Sequence, residues 1–472
     1  MLFNSIDFLL FLPSVFLLYW FVFKKLKTQN LFILLASYLF YGWWDWRFLF
    51  LILASTLVDY SIGLLLDKTI DNRKRKYLLY TSLIFNLGLL GVFKYYNFFI
   101  DNWIDAWSQL GITMHKSSLN IILPVGISFY TFQTLSYTID VFKKKINPTK
   151  NFIGFASFVS FFPQLVAGPI ERASNLLPQF FAKRTFSYKL ATSGMRLILW
   201  GFFKKIVIAD NCAVFANDIF NNYQDQSGIT LALGAVFFAF QIYGDFSGYS
   251  DIAIGVARLF GFKLMRNFNY PYFSRDIAEF WRRWHISLST WFRDYLYIPL
   301  GGSRGSKYKK VRNVLIIFIV SGFWHGANWT FISWGALNAI YFLPLLLTNR
   351  NRKNLTEIAK DNLLPSLKEV FQIIITFCLT TFAWIFFRAK NMTTALDYIF
   401  RMFSNQDGES IGFNFFAIII ILFVILEWIS RKSESIQIQN KYVRYLFYII
   451  IIHVILFYST TNEPQSFIYF QF

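Results

Sequence analysis

The sequence predicts an all-α integral membrane protein. Hydrophobic residues make up 56% of the 472 residues and charged residues only 15%, whereas charged residues reach about 25% in soluble globular proteins. Apolar runs recur along the whole chain, as in VLIIFIVSGFW and YLFYIIIIHVILFY. Because a helix of about 20 residues crosses a hydrocarbon core, these runs predict about eleven transmembrane helices.

The charge and the cysteines exclude other classes of protein. The net charge is +20, but the basic residues form short clusters between apolar runs, as the positive-inside rule requires. Nucleic-acid binding is therefore not expected. The chain has two cysteines, and it contains no CxxC, HExxH or nucleotide-binding glycine loop, so we expect no metal site.

The first span and the basic clusters predict the orientation of the chain. Residues 1–23 lack a positive n-region and a cleavage site, so we expect a retained first span. The clusters at 24–27 and 73–76 can both lie inside, which places the N-terminus outside, and the acidic and neutral stretch 99–118 is expected to be an outside loop. No soluble domain interrupts the chain, so residues 1–472 are expected to form a single polytopic domain with its motifs at about 120–345.

Two segments depart from the pattern of straight spans. The stretch 158–173, FVSFFPQLVAGPIERA, carries Pro163, Gly168 and Pro169 within apolar sequence, which predicts a re-entrant element enclosed by protein. The stretch 280–302 begins FWRRWHISLSTWFRDY; at 100° per residue, Arg282 and His285 share a polar face opposite an aromatic one. We expect a continuous helix that lies flat in the membrane interface.

The strongest candidate for a functional residue is His325. It follows Arg312 by 13 residues of apolar helix, which at about 1.5 Å per residue is roughly 20 Å into the bilayer. Ionisable side chains at such depth are functional by default, and an uncharged imidazole there is a base. We expect Gly322 and Gly326 to leave room for a substrate, and Asn328 and Trp329 to orient the ring, line the passage or, for Asn328, stabilise an oxyanion. The alternative is that His325 only buttresses two packed helices.

Charged residues elsewhere give weaker candidates. Asp245 and Asp251 lie in apolar sequence; we favour an ion pair between a carboxylate and an arginine of the interfacial helix, such as Arg282, over a proton pathway. The basic residues at 304–312 are suited to an acidic donor that docks from the cytoplasm. Contact with anionic lipid explains them equally well.

Three long motifs resemble the membrane-bound O-acyltransferases, in particular the bacterial branch that acts in alginate O-acetylation and teichoic acid D-alanylation. They are GDFSGYSDIAIGVARLFGF, NFNYPYFSRDIAEFWRRWHISLSTWFRDYLYIPLGG and SGFWHGANWTFISWG. The resemblance implies helices around a central tunnel, with His325 as the residue of acyl transfer and His285 as the second family histidine. One departure is Asn338, where many alginate-type members carry a further histidine.

The resemblance also implies a function and a location. We expect a multi-pass protein of the bacterial inner membrane that takes an acetyl group from a cytoplasmic thioester, acetyl-CoA or another acyl thioester. The acetyl group passes to an extracytoplasmic polysaccharide, through a periplasmic or membrane-anchored acetyltransferase partner. The alternatives are D-alanyl transfer to teichoic acid and a transporter or flippase without enzymatic activity.

Overall fold

The computed structural model describes residues 1–114, 121–405, 408–409, 416–461, 465 and 467–468. Over these ranges the chain is built from helices without a β-strand, which confirms the predicted all-α fold. Six described helices are long and apolar enough to cross a membrane: Trp46–Lys68, Asn72–Gln109, Gly228–Leu259, Trp329–Leu347, Leu367–Arg388 and Lys441–Thr460. Shorter apolar helices span Ile6–Val22, Phe152–Leu165 and Phe416–Ser430. The predicted count of about eleven crossings is not confirmed.

The first of two compact units comprises residues 1–195 and 253–265. Its helices are Ile6–Leu17, Leu26–Gly42, Leu49–Lys68, Asn72–Leu90, Tyr96–Gln109, Ile127–Phe142, Phe152–Ser160, Phe162–Leu165 and Ala173–Leu176. Short 3₁₀ or π segments lie at Leu18–Val22, Trp46–Phe48, Gly91–Tyr95 and Leu177–Phe180. Tyr188–Phe202 and Gly228–Leu259 each belong in part to this unit.

The irregular segment predicted at 158–173 is present. Helix Phe152–Ser160 stops at Phe161, a one-turn helix follows at Phe162–Leu165, and residues 154–171 are all buried. The side-chain amides of Gln133 and Gln164 both donate to the carbonyl oxygen of Phe158, which the broken helix leaves without its usual partner. Backbone of this kind is therefore satisfied inside the protein.

The prediction of a loop at 99–118 is wrong for residues 99–109, which are helical. Residues 72–109 form one long helical stretch with a π segment at Gly91–Tyr95. Asp101 and Asp105 are four residues apart in the sequence, so both lie on the same face of this helix. Residues 115–118, including His115, lie outside the described residues.

The second unit comprises residues 196–252 and 266–472. Beyond the two shared helices, its helices are Asp210–Asn221, Ile277–Arg283, Ile286–Phe292, Lys307–His325, Trp329–Leu347, Leu367–Arg388, Met392–Ser404, Phe416–Ser430 and Lys441–Thr461. Its 3₁₀ and π segments are Phe203–Ala209, Pro271–Phe273 and Arg293–Tyr297. We call Lys307–His325 the His325 helix.

The continuous interfacial helix predicted from residue 280 onward is wrong. Helix Ile277–Arg283 ends at an extended Trp284, and His285 takes a left-handed conformation (φ +43°) before the next helix begins at Ile286. Hydrogen bonds to the segment 267–269 hold this break, from Asn269 N to Arg283 O (2.9 Å) and from Ile286 N to Asn267 O (2.8 Å). Arg282 and His285 therefore do not share a helix face.

The His325 helix packs against Trp329–Leu347 through two glycines. A Cβ on Gly322 would overlap the carbonyl oxygen of Phe331, and a Cβ on Gly335 would overlap that of Phe318. Each glycine lets the backbone of the opposite helix approach, as small residues do between membrane helices. With only residues 326–328 between them, the two helices form a tight hairpin.

Gly335→Ala is expected to destabilise the purified protein. The added methyl group has to push the two backbones apart, and overpacking of this kind costs about 1–3 kcal/mol. The matched control is Gly88→Ala, because a Cβ there meets no atom within 4 Å. Thermal unfolding in detergent should show a lower Tm for Gly335→Ala alone. Equal Tm values for the two variants would contradict the packing.

Candidate active site

His325 is the last residue of its helix and lies among aromatic rings from three helices. Its side chain is 4% exposed. Its ring centroid is 5.3 Å from that of Trp334 on the next helix, 5.3 Å from that of Phe387 on Leu367–Arg388, and 4.8 Å from that of Trp324. These rings exclude water from the imidazole and set its orientation.

The glycines beside His325 do not leave room for a substrate, so this prediction is wrong. Gly322 accommodates the Phe331 backbone, and a Cβ on Gly326 would overlap the Phe331 ring. The space beside each glycine is therefore already filled. Their role is close packing.

Asn328 and Trp329 lie at the start of the helix Trp329–Leu347. The Asn328 side chain caps the helix Trp329–Leu347 by accepting from Thr330 N (3.0 Å), and its Nδ2 donates to Lys390 O (2.9 Å). These bonds use one N–H of the amide and one lone pair of its oxygen, and they tie the side chain to the backbone at both ends. Trp329 is 53% exposed, on the surface of the unit and not along an enclosed passage.

His285 is held by the side chain of Asn267, which the sequence analysis did not single out. His285 is 1% exposed and Asn267 is fully buried. His285 Nδ1 lies 3.1 Å from Asn267 Oδ1, which also accepts from Ser287 N (3.2 Å) and Ser287 Oγ (2.8 Å). Asn267 Nδ2 donates to Ser250 Oγ (3.1 Å). The imidazole is therefore fixed from one side.

Trp324 lies against both histidines. Its ring centroid is 4.8 Å from that of His325 and 6.2 Å from that of His285. The ring of Phe246 approaches His285 edge-on at 4.6 Å. The structure thus brings the two histidines, which are 40 residues apart in the sequence, into contact with the same indole.

A cavity of about 210 Å³ extends along the His325 helix. Its mostly apolar walls include Trp281, Phe318 and Ser321, and two arginines, Arg293 and Arg352, also line it. Ser321 stands one helical turn, about 5.4 Å, before His325 on the same face. The basic residues at 304–312 are not among the described lining residues, so the cations beside the cavity differ from those predicted.

Asp245 forms an ion pair, but its partner is not the predicted arginine. Lys205 Nζ lies 2.9 Å from Asp245 Oδ1 and 2.8 Å from Asp210 Oδ1, and all three side chains are buried. Asp251 pairs with Lys204 at 2.5 Å. The signal that sequence analysis missed is the pair of lysines inside the apolar run GFFKKIVIA, since buried lysines need carboxylate partners.

Arg282 and Asn338 have local partners as well. Arg282 donates to the carbonyl oxygens of Asn351 (2.8 Å) and Asn354 (2.9 Å), so it anchors the segment after Trp329–Leu347. Asn338 is buried and donates to Trp334 O (2.8 Å). Over the described ranges, no group of three His, Cys, Asp or Glu side chains is arranged to hold a metal ion.

Comparison with known families fits this site. Residues 74–387, which include both histidines, match the model of the MBOAT, membrane-bound O-acyltransferase family. The chain belongs to this family. It is therefore an O-acyltransferase, and the enzyme class expected from the sequence is confirmed.

Three relatives illustrate the range of acceptors within the membrane-bound O-acyltransferase family. A "probable alginate O-acetylase AlgI" from Pseudomonas aeruginosa is 41% identical over 86% of this chain and 75% of its own length. A peptidoglycan O-acetyltransferase from Helicobacter pylori is 38% identical over 84% of the chain and 78% of its own. A teichoic acid D-alanyltransferase from Streptococcus thermophilus is 32% identical over only 48% of the chain and 56% of its own.

Lys205→Met is expected to destabilise the protein more than Asp245→Asn does. The first change leaves two buried carboxylates without their cation, and removing one partner of a buried pair costs about 3–5 kcal/mol. The second leaves Lys205 paired with Asp210. The relative stability of the two variants is measured as the amount of protein that stays monodisperse after heating to increasing temperatures. A less stable Asp245→Asn variant would contradict the arrangement.

Proposed function

We propose that this membrane-bound O-acyltransferase transfers an acetyl group from a cytoplasmic acyl thioester, acetyl-CoA, to a hydroxyl group of an extracytoplasmic polysaccharide. The observation that carries the proposal is the buried imidazole of His325, one helical turn beyond a cavity that two arginines line. His325 is the catalytic residue, and His285 acts beside it.

The cavity is suited to the donor. Its apolar walls accommodate the uncharged arm of a thioester, and Arg352 supplies positive charge for a phosphorylated donor. Arg293 lies beside it and is paired with Asp294 (2.7 Å). The thioester end would then reach Ser321. From there the acyl carbonyl needs one further helical turn to come within reach of His325.

The chemistry requires a base at this point. His325 takes the proton of the attacking hydroxyl group while the oxygen of that hydroxyl forms a bond to the acyl carbon. The carbon–sulfur bond then breaks, and the imidazolium returns the proton to the thiolate. Because aromatic rings enclose His325, the substrates have to displace one of them, Trp334 or Phe387, before the hydroxyl can reach the ring.

The relatives support acetyl over D-alanyl transfer. The alginate and peptidoglycan O-acetylating relatives align with more than four fifths of the chain, and two teichoic acid D-alanyltransferases with 48% and 58% of it. The names of these relatives support a polysaccharide acceptor, which we place outside the cytoplasm. We further propose that the acetyl group leaves through a periplasmic or membrane-anchored acetyltransferase partner.

His325→Ala in the native host should abolish O-acetyl ester on the surface polysaccharide, because the transfer loses its base. The matched control is His453→Ala, since His453 lies on an exposed face of Lys441–Thr461 with Nδ1 bonded to Ile449 O (2.8 Å). Ester is measured by alkaline release of acetate, and protein abundance by immunoblot. Wild-type ester in the His325→Ala strain would refute the proposal.

A further inference from the structure

We propose that Asn267 is the positioning residue that holds His285 as its Nδ1–H tautomer, so that Nε2 accepts a hydrogen bond from a second hydroxyl of the acceptor, adjacent to the one that His325 deprotonates. This inference rests on the proposed function. It gives the second histidine of the site a defined task, and it assigns that task to an amide contributed by a segment 18 residues earlier in the chain.

The orientation of the Asn267 amide follows from its neighbours. Ser287 N lies 3.2 Å from the amide atom that faces His285, and a backbone N–H can only donate. The facing atom is therefore the oxygen. The other side agrees, because Nδ2 donates to Ser250 Oγ (3.1 Å).

The orientation of the amide then fixes the tautomer of His285. Asn267 Oδ1 lies 3.1 Å from His285 Nδ1, and a carbonyl oxygen can only accept, so Nδ1 carries the hydrogen. In a neutral imidazole the other nitrogen then has a lone pair and no hydrogen. Nε2 is thus a hydrogen-bond acceptor.

Nε2 has no hydrogen-bond partner among the described residues, although it is buried. An unsatisfied buried acceptor costs about 1–3 kcal/mol, and such exceptions in native structures call for an explanation. A substrate hydroxyl that donates to Nε2 supplies one. A histidine with a purely structural role would be expected to use both of its nitrogens.

The backbone of His285 itself is strained, with a φ angle of +43°. A left-handed conformation at a residue other than glycine costs about 1–3 kcal/mol and persists only where the surroundings enforce it. Here the main chain of Asn267 accepts from Ile286 N (2.8 Å) while its side chain accepts from His285 and Ser287. One residue therefore sets both the backbone and the ring of His285.

The surroundings keep His285 uncharged. The rings of Phe246, Phe268 and Trp324 face the imidazole, and burial lowers the pKa of His285 to about 3. The titratable groups next to these rings in sequence are Asp245, which Lys205 neutralises, and His325. The imidazole therefore stays neutral over the physiological range of pH, and its Nε2 stays a hydrogen-bond acceptor.

The tautomer can be measured directly. In the full chain labelled with ¹⁵N-histidine and reconstituted in lipid, solid-state NMR separates protonated from unprotonated ring nitrogens, and His285→Gln identifies the signals of His285. We expect an unprotonated Nε2 in the wild type and a mixture of tautomers in Asn267→Ala. A protonated Nε2 in the wild type would overturn the inference, whether or not the preparation is active.

The pH profile of acetyl transfer tests the role of Asn267 in the reaction. The readout is release of free thiol from acetyl-CoA in membranes, with glycerol as the hydroxyl probe. Asn267→Ala should lower the rate per folded molecule by about 10- to 100-fold at every pH, the range for loss of one buried hydrogen bond to the acceptor. His453→Ala, which lies outside this network on an exposed face of Lys441–Thr461, is the control and should retain most of the rate.

Asn267→Asp distinguishes positioning from a structural role. A carboxylate beside Nδ1–H stabilises the imidazolium and raises the pKa of His285 toward or above its ordinary value. The variant should therefore lose activity below about pH 7, near the ordinary pKa of 6.5, and recover it above, whereas the wild type shows no such loss down to pH 5. A profile with the wild-type shape would overturn the inference. Wild-type transfer no greater than that of His325→Ala would instead count against the proposed function.

Discussion

The close approach of the His325 helix to Trp329–Leu347 is the constraint on which the candidate site depends. Gly322 and Gly335 allow the two backbones to meet, and the short connection between the helices leaves His325 at the tip of the hairpin. The same contact brings Trp334 against the imidazole. A larger residue at either glycine would move the histidine and one wall of its enclosure together.

The two histidines are held in different ways, and each way suits a different part of acyl transfer. Aromatic rings pack against His325, which is buried. A buried amide and a strained backbone hold His285 rigidly. Trp324 contacts both. The proposed division of tasks follows this arrangement: His325 acts as the base, and the fixed imidazole of His285 orients the acceptor.

Local pattern predicted the helical fold, the broken segment at 158–173 and the position of His325, because each depends on hydropathy or on proline and glycine nearby in the chain. The prediction failed where residues distant in the sequence determine the local structure. The break at His285 depends on hydrogen bonds with residues 267–269. Helical periodicity in the sequence does not reveal such contacts. The partner of Asp245 lies 40 residues away, at Lys205. The sequence predicts open space beside the glycines next to His325, because it does not show that Phe331 packs against them.

The most direct test of the central claim, that acyl donor and acceptor meet at His325, is the position of a bound donor. Electron cryomicroscopy of the full chain in lipid nanodiscs with a non-hydrolysable thioether analogue of acetyl-CoA would locate the acyl end. We predict density that runs along the cavity past Ser321 to hydrogen-bond distance from His325, with the ring of Trp334 or Phe387 displaced. An analogue bound elsewhere, with His325 still enclosed by its rings, would contradict the account.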